Sequence, residues 1–141
     1  MNTQTFLSIF LRKGETTSKT FVLDSSNRDI YIQRAKNGGH IIEPLIVSVT
    51  NDTTLLMLTN IGIYYEKDMT NVFVLYQDII SLSTMPKPFG KRSIKIENFP
   101  NEIYVTCEHG EAYCFECEPR LPCMGLYNSI GFAVSKARIQ P

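Results

Sequence analysis

The stretch that decides the fold runs from Ile41 to Glu66, IIEPLIVSVTNDTTLLMLTNIGIYYE. It is rich in β-branched, leucine and tyrosine residues, which favour strands, and it is interrupted by turn-forming residues at Asn51-Asp52 and at Asn60 to Gly62. Three consecutive strands are therefore predicted. Pro44 has no N–H to donate to a ladder, so it belongs at a sheet edge or just before its strand begins.

The strand pattern continues toward the C-terminus. Val72 to Leu82 predicts a fourth strand that bends near Gln77-Asp78. The segment TMPKPFGKR, Thr84 to Arg92, contains two prolines and a glycine and predicts a loop, after which SIKIE resumes the alternation.

The clearest hairpin of the chain lies further on. Ile103 to Cys107 and Tyr113 to Cys117 alternate in polarity and flank a turn at Gly110. The apolar residues of both strands can share one face only if the loop between them has an odd length or contains a bulge.

A terminal helix is predicted after Glu118-Pro119, because apolar residues from Leu121 to Ala137 recur at three- and four-residue spacing. Its apolar stripe would pack on the sheet. Gly125 and Gly131 each lower the helix propensity by about 1 kcal/mol relative to alanine. Either they allow close approach to strands or the helix begins later.

Two elements are predicted near the N-terminus. The apolar runs Phe6 to Leu11 and Thr20 to Leu23 flank the segment KGETTSK and predict a first hairpin. Ser26 to Asp29 has the pattern of a helix start, with the serine hydroxyl as the cap, and Asn37-Gly38-Gly39 would end that short helix.

Composition narrows the class of protein. The 141 residues carry 14 basic and 14 acidic side chains, seven of each in either half, so the net charge does not favour nucleic acid as a partner. No segment has the features of a signal peptide or the length of a membrane span. All four cysteines lie in the last third, which is typical of reduced thiols and not of a disulfide framework. We therefore expect a soluble, cytoplasmic protein.

The segments LLMLTNIGIYYEKD and VFVLYQDIISLS, followed by the Gly110 hairpin and by FECE before the terminal helix, resemble bacterial pleckstrin-homology-like and GRAM-like domains. The likeness covers residues 46–137. The features that match this family are the turn Leu58-Thr59-Asn60, the pair Tyr64-Tyr65, and an element formed by Tyr76, Asp78 and Ile79. The resemblance implies a curled antiparallel sheet or barrel-like roll capped by a C-terminal helix, a scaffold that binds proteins, peptides or lipid head groups.

The likeness leaves out the N-terminal residues. We expect a single domain, 1–141, with a core at 41–141 and residues 1–40 as an extension or as a completion of the sheet. In lipid-binding members of this family a basic cluster lies in the first hairpin loop, whereas Val49 to Thr53 has no basic residue here. This difference argues against phosphoinositide binding.

One group of residues has the chemistry of a zinc site. It consists of Cys107, His109, Cys114, Cys117 and Cys123. The spacing argues against zinc, because Cys114 and Cys117 would point to opposite faces of a strand. We expect small buried thiols, a turn histidine and no metal or other cofactor, with zinc at the first four of these residues as the alternative.

Two charged segments are candidate binding surfaces. The first is a basic loop with one aromatic residue, formed by Lys87, Phe89, Lys91, Arg92 and Lys95. The second is an acidic hairpin carrying Glu102, Glu108, Glu111 and Glu116, of which alternation places Glu102, Glu108 and Glu116 largely on the outer face. Solvated surface charge is the alternative explanation for both segments, and for the basic loop it is the favoured one.

No catalytic motif is recognisable, and His40 and His109 both lie beside glycine in predicted turns. We therefore expect a noncatalytic binding module, not an enzyme, and we expect its partner to be a protein. The alternative is a cytosolic immunity or inhibitor protein that occludes a toxin or enzyme with the face from Glu97 to Glu118. A third possibility is an adaptor for membrane lipid head groups, which would depend on the basic loop.

Overall fold

The structure, a computed structural model, describes residues 1–35, 42–84 and 101–139. Within these ranges the chain forms three α-helices, eight strands and one short 3₁₀ turn. The helices are α1 (Thr3–Lys13), α2 (Arg28–Arg34) and α3 (Leu121–Ile139), and the 3₁₀ turn is Tyr76–Asp78. The strands are β1 (Thr20–Val22), β2 (Pro44–Asn51), β3 (Thr54–Thr59), β4 (Gly62–Lys67), β5 (Thr70–Leu75), β6 (Ile79–Ser83), β7 (Glu102–Cys107) and β8 (Ala112–Glu116). None of the described helices is long and apolar enough to cross a bilayer.

The strands form two antiparallel sheets. In the larger sheet the order is β1-β2-β3-β4-β5, and in the smaller one it is β6-β7-β8. The predicted class, a mostly β protein with antiparallel sheets and a C-terminal helix, is confirmed, although the described strands do not close into a barrel. The strands β2 to β5 each pair with the next strand in sequence, as the short turns between them favour.

The three strands predicted in the opening stretch are β2, β3 and β4. Pro44 is the first residue of β2, as its missing N–H requires. At the first turn the Asn51 side chain accepts hydrogen bonds from the backbone and hydroxyl of Thr53. At the second, the Thr59 hydroxyl accepts from the Gly62 amide. Both predicted turns are confirmed.

The predicted fourth strand is divided between the two sheets. Its bend near Gln77-Asp78 is the 3₁₀ turn that separates β5 from β6. Tyr76 anchors this corner, because its ring is buried and its hydroxyl donates to the Thr59 carbonyl at 2.8 Å. The strand predicted at SIKIE, and the loop before it from residue 85 onward, lie outside the described residues.

The predicted hairpin is β7–β8. Ile103 opposes Phe115 and Val105 opposes Tyr113, so the apolar residues of both strands share one face. The Cys107 amide donates to the Glu111 carbonyl and closes a three-residue loop of odd length, as the pattern required. Gly110 has a φ of +93°, a conformation that favours glycine.

The predicted N-terminal hairpin is wrong, because its first strand is the helix α1. Asn2 caps this helix by accepting from the Thr5 amide at 3.1 Å, and basic residues lie in its last turn. Phe6 and Phe10, one helical turn apart, are its two buried residues. The second predicted strand exists as β1 and pairs with β2 instead.

The short helix predicted next is α2. Its predicted serine cap is wrong, since Ser26 donates both its amide and its hydroxyl to Asp24. The helix ends at Arg34, and Asn37-Gly38-Gly39 lies outside the described residues. Arg34 pairs with Glu66 of β4 at 2.9 Å, and the Tyr64 hydroxyl donates to the same carboxylate. These bonds attach α2 to the larger sheet.

The larger sheet is apolar on both faces. Its inner face packs against α1, α3 and the smaller sheet, and contributes Ile46, Leu56, Leu58, Ile63 and Val74 to the main core. Its outer face carries a second cluster, in which Leu23, Tyr31 and Ala35 cover residues of the sheet. The sheet residues of this cluster are Val47, Leu55, Met57 and Tyr64. The segment 23–35 thus shields this part of the outer face from water.

Helix α3 is confirmed, and it packs on α1 as well as on the smaller sheet. At their crossing Gly125 lies against Gly14, so close that a methyl group on Gly125 would come within 2.7 Å of the Gly14 Cα. Gly125 therefore allows close approach, but to the end of α1 and not to a strand. Gly131 has only an ordinary contact with Leu82.

Candidate functional site

The exposed end of the acidic hairpin combines carboxylates with one apolar side chain. Glu108 and Glu111 are exposed in the β7–β8 loop, and the Glu108 amide donates to the Asp78 carbonyl at 2.9 Å. Ile79 of β6 pairs with Cys107, the residue just before this loop, and a bulge follows between Ile79 and Ser81. Ile80 lies at that bulge, and half of its surface is exposed. We call Asp78, Ile80, Glu108 and Glu111 the acidic tip.

The charges of the acidic tip have no cationic partner among the described residues. Their effect is felt by the Cys107 thiol, whose pKa is raised first by burial and further by Glu111, Asp78 and Glu108. A negative potential therefore extends from the tip. His109 is exposed in the same loop.

The other two glutamates of the hairpin face away from Ile103 and Phe115, but their carboxylates are occupied within the protein. Glu116 forms an ion pair with Lys67 of β4, and its amide donates to the Tyr65 hydroxyl at 3.0 Å. Burial raises the pKa of Tyr65 to about 12. Glu116 therefore joins the two sheets and is not free to meet a partner.

The carboxylate of Glu102 also has partners within the protein. It accepts from the Tyr104 hydroxyl at 3.0 Å and from the Cys114 thiol at 3.1 Å. Partial burial and this hydrogen bond raise the pKa of Cys114 to about 11, so its reactive thiolate is scarce at neutral pH. Of the four predicted acidic residues, only Glu108 and Glu111 point freely into solvent.

The cysteines do not assemble into a metal site. Cys107, Cys117 and Cys123 are buried free thiols, whereas Cys114 is exposed on the opposite face of β8, as the alternation predicted. In the described part of the chain, no three His, Cys, Asp or Glu side chains form a group that could hold a metal ion. The arrangement that the alternative zinc site requires at Cys107, His109, Cys114 and Cys117 is therefore not formed.

The residues of the predicted basic loop lie outside the described residues, as does His40. They are Lys87, Phe89, Lys91, Arg92 and Lys95.

A second surface feature was not predicted from the sequence. It is an open cleft of about 690 Å³ between the segment that follows α1 and the segment that begins α3. We call it the α1–α3 cleft. It is lined by Glu15, Lys19, Glu118, Pro119, Arg120, Leu121 and Pro122. The two walls come from segments about 100 residues apart, so no local pattern could have indicated it.

Hydrogen bonds at the bottom of the cleft join its two walls. The Glu118 carboxylate accepts from the Thr17 hydroxyl at 2.5 Å and from the Thr20 hydroxyl at 2.7 Å. The Glu118 amide donates to the Ser48 hydroxyl, which also bonds Thr20. The hydroxyls of Thr20 and Ser48 belong to fully buried residues, so this network lies inside the protein while Glu118 reaches the cleft.

Comparison of the chain with protein-family models, with curated proteins and with solved structures gives no match.

Proposed function

We propose that the protein is a noncatalytic binding module that recognises a protein partner through the acidic tip. The observation that carries the proposal is a set of carboxylates, at Asp78, Glu108 and Glu111, without a cationic partner in the described structure. Ile80, whose side chain is half exposed, follows Ile79, the residue of β6 that pairs with Cys107 next to the loop. A basic surface with an apolar recess for Ile80 is complementary to this arrangement.

The acidic tip is held in place before any partner arrives. The loop is closed by hydrogen bonds from Cys107 to Glu111 and from Gly110 to Cys107, and it is tied to the 3₁₀ turn through Asp78. Below it, Glu116 joins the hairpin to the larger sheet. A rigid loop loses little conformational entropy on binding, which supports a recognition role.

The proposal includes a pleckstrin-homology-like architecture and a cytoplasmic location. The first is supported by the order of elements, in which the four strands β2 to β5 and the three strands β6 to β8 precede a terminal helix. The second is supported by four cysteines that are all free thiols.

The test is capture of partners from native cytosol on the immobilised wild-type protein and on the double variant Glu108→Lys/Glu111→Lys. The control is Asp29→Lys/Asp52→Lys, which changes the net charge equally at two exposed acids elsewhere. We expect one stoichiometric protein to bind the wild type and the control and to be lost from the tip variant. Equal retention by both double variants would contradict the proposal, and equal loss from both would indicate only nonspecific charge attraction.

An additional variant, Ile80→Ser, tests the apolar part of the acidic tip. An exposed isoleucine that enters a recess of the partner contributes more to affinity than the rim charges around it, so we expect at least a tenfold weaker complex. Unchanged affinity would remove Ile80 from the interface. If the captured protein is an enzyme or toxin and loses activity at equal stoichiometry, the narrower role of an immunity or inhibitor protein is supported.

A further inference from the structure

We propose that the α1–α3 cleft binds a short peptide through both of its charged ends, with the α-ammonium group at Glu118 and the carboxylate at Lys19 and Arg120. The site lies on residues that the acidic tip does not use, so this inference goes beyond the proposed function. It rests on the fixed walls of the cleft, on its charges and on its apolar lining.

The walls of the cleft are fixed relative to each other. The contact between Gly14 and Gly125 brings the end of α1 against α3, and a Cβ on Gly14 would also approach the Leu121 carbonyl oxygen to 3.0 Å. On the other side, Thr17 and Thr20 hold the Glu118 carboxylate. A cavity built on such contacts keeps its shape without a ligand, which is the property of a preformed site.

The carboxylate of Glu118 is positioned but not neutralised. Both of its described side-chain hydrogen bonds come from neutral hydroxyls and end on Oε1. Among the described residues no cation lies within ion-pair distance of Glu118, and Oε2 accepts no hydrogen bond. A half-buried carboxylate in this state favours a cationic group that can reach Oε2 from the cleft, and an ammonium group meets that requirement.

Charges of the opposite sign line the same cleft. Lys19 and Arg120 are exposed and take part in no ion pair of the described structure. Arg120 has a φ of +72°, a conformation that is unfavourable for a residue with a side chain. The guanidinium and ammonium groups favour a carboxylate, so a ligand with one charge only would leave half of the charged lining unmatched.

The cleft also has an apolar part. Pro119, Leu121 and Pro122 complete the lining, and they suit one or two aliphatic side chains. A cleft of about 690 Å³ lies within the range of sites for small organic ligands, about 300–1,000 Å³. A free tripeptide with an aliphatic centre combines an ammonium group, a carboxylate and an apolar middle.

The test uses the tripeptide Ala-Leu-Ala with free termini as the probe, together with its N-acetylated and C-amidated forms. Binding is followed by amide chemical shifts of the ¹⁵N-labelled full-length protein and by calorimetry. We expect saturable shifts of the amides of residues 15–19 and of Glu118, Arg120 and Leu121, and at least tenfold weaker binding when either terminus is blocked. Absence of saturable shifts up to about 10 mM probe would overturn the proposal.

The blocked peptides also show whether the cleft recognises only one end of a peptide. Full binding of the C-amidated form would show that the cleft binds only an α-ammonium group, as at the N-terminus of a protein chain. Full binding of the N-acetylated form would show that it reads only a carboxylate. Either result would overturn the two-ended proposal.

Two variants test the residues. Glu118→Gln retains an acceptor for Thr17 and Thr20 but removes the charge, and Arg120→Gln removes a cation from the other side. We expect at least tenfold weaker binding of Ala-Leu-Ala to each. The matched control is Lys136→Gln, which removes an exposed cation near the far end of α3, and it should bind as the wild type does.

The acidic-tip variant Glu108→Lys/Glu111→Lys should also bind the probe normally, so failure of one proposal is separable from failure of the other. If Glu118→Gln folds and binds the probe with unchanged affinity, the proposed role of Glu118 is wrong.

Discussion

Replacing Gly125 with alanine tests the crossing of α1 and α3 directly, because the structure predicts opposite effects for the same change at two positions of one helix. The added methyl group at Gly125 would lie 2.7 Å from the Gly14 Cα and 2.8 Å from a ring carbon of Phe10. At Gly131 the nearest atom is a methyl group of Leu82 at 3.8 Å, an ordinary contact.

The magnitudes follow from two opposing terms. Alanine regains about 1 kcal/mol of helix propensity over glycine at either position. Forcing a methyl group into a filled core site costs about 1–3 kcal/mol, and the upper half of this range applies to Gly125, because backbone and a buried ring cannot move aside easily. We expect Gly125→Ala to lower the free energy of unfolding by about 1–2 kcal/mol and Gly131→Ala to raise it by about 0.5–1 kcal/mol.

The assay is urea unfolding followed by far-ultraviolet circular dichroism, with thermal unfolding as a second measurement. For a domain of this size, 1 kcal/mol corresponds to about 3–5 °C in Tm. The dependence of the unfolding free energy on urea should be the same for all three proteins, so that the midpoints report stability alone. A Gly125→Ala protein as stable as the wild type, or a shift of the same sign for both variants, would refute the close approach of the helices.

Three further predictions concern single side chains. Met69 is fully exposed in the β4–β5 turn with a φ of +70°, so Met69→Gly should raise the free energy of unfolding by about 0.5–1 kcal/mol in urea titrations; a lower midpoint would contradict this. The pKa of Glu66 is raised by partial burial but lowered more by its bonds to Arg34 and Tyr64, and the net result lies below the ordinary value of 4.5. Its contribution to stability is therefore complete above pH 4.5 and is lost as the pH falls through the lower folded pKa, so acidification should destabilise the wild type more than Glu66→Gln; parallel pH profiles of the two proteins would count against this. Finally, a thiol reagent should label one cysteine of the native protein, slowly at neutral pH, and Cys114→Ser should abolish that labelling, whereas several equivalents in the native state would show that the buried thiols are accessible.

The β-sheet core could be predicted because its signals are local. The turns at Asn51-Asp52 and at Asn60 to Gly62 are formed by residues that bond their own neighbours, so the sequence pattern and the structure coincide there. The β7–β8 hairpin was predictable for the same reason. The division of the predicted fourth strand between two sheets was not, because it depends on the contact of Tyr76 with Thr59 of another strand.

The N-terminal helix shows where local pattern fails. A short apolar run such as Phe6 to Leu11 is compatible with a strand or with a buried helix segment. Signals for the helix were present: Asn2 as a cap, Phe6 and Phe10 one turn apart, and Arg12 and Lys13 in the last turn. What decides between them is the packing of this run on α3, more than 100 residues away.

The candidate sites likewise include features that could be predicted from the sequence and features that could not. The exposed position of Glu108 and Glu111 follows from the hairpin itself and could be predicted. The engagement of Glu116 could not, because Lys67 and Tyr65 come from the larger sheet. The α1–α3 cleft was also beyond prediction, since its walls meet only after both ends of the described chain have packed.

The bond from the Ser129 hydroxyl to the Phe6 carbonyl joins residues 123 positions apart, and this separation has a kinetic consequence. Helix α1 has 11 residues, too few to persist in isolation, so it requires α3 as a template. Closing a loop of this length is unfavourable mainly in entropy and slows folding more than it lowers the stability of the final state. The β2–β5 meander can form early from neighbouring segments, whereas the two helices complete the core only in the last, long-range step.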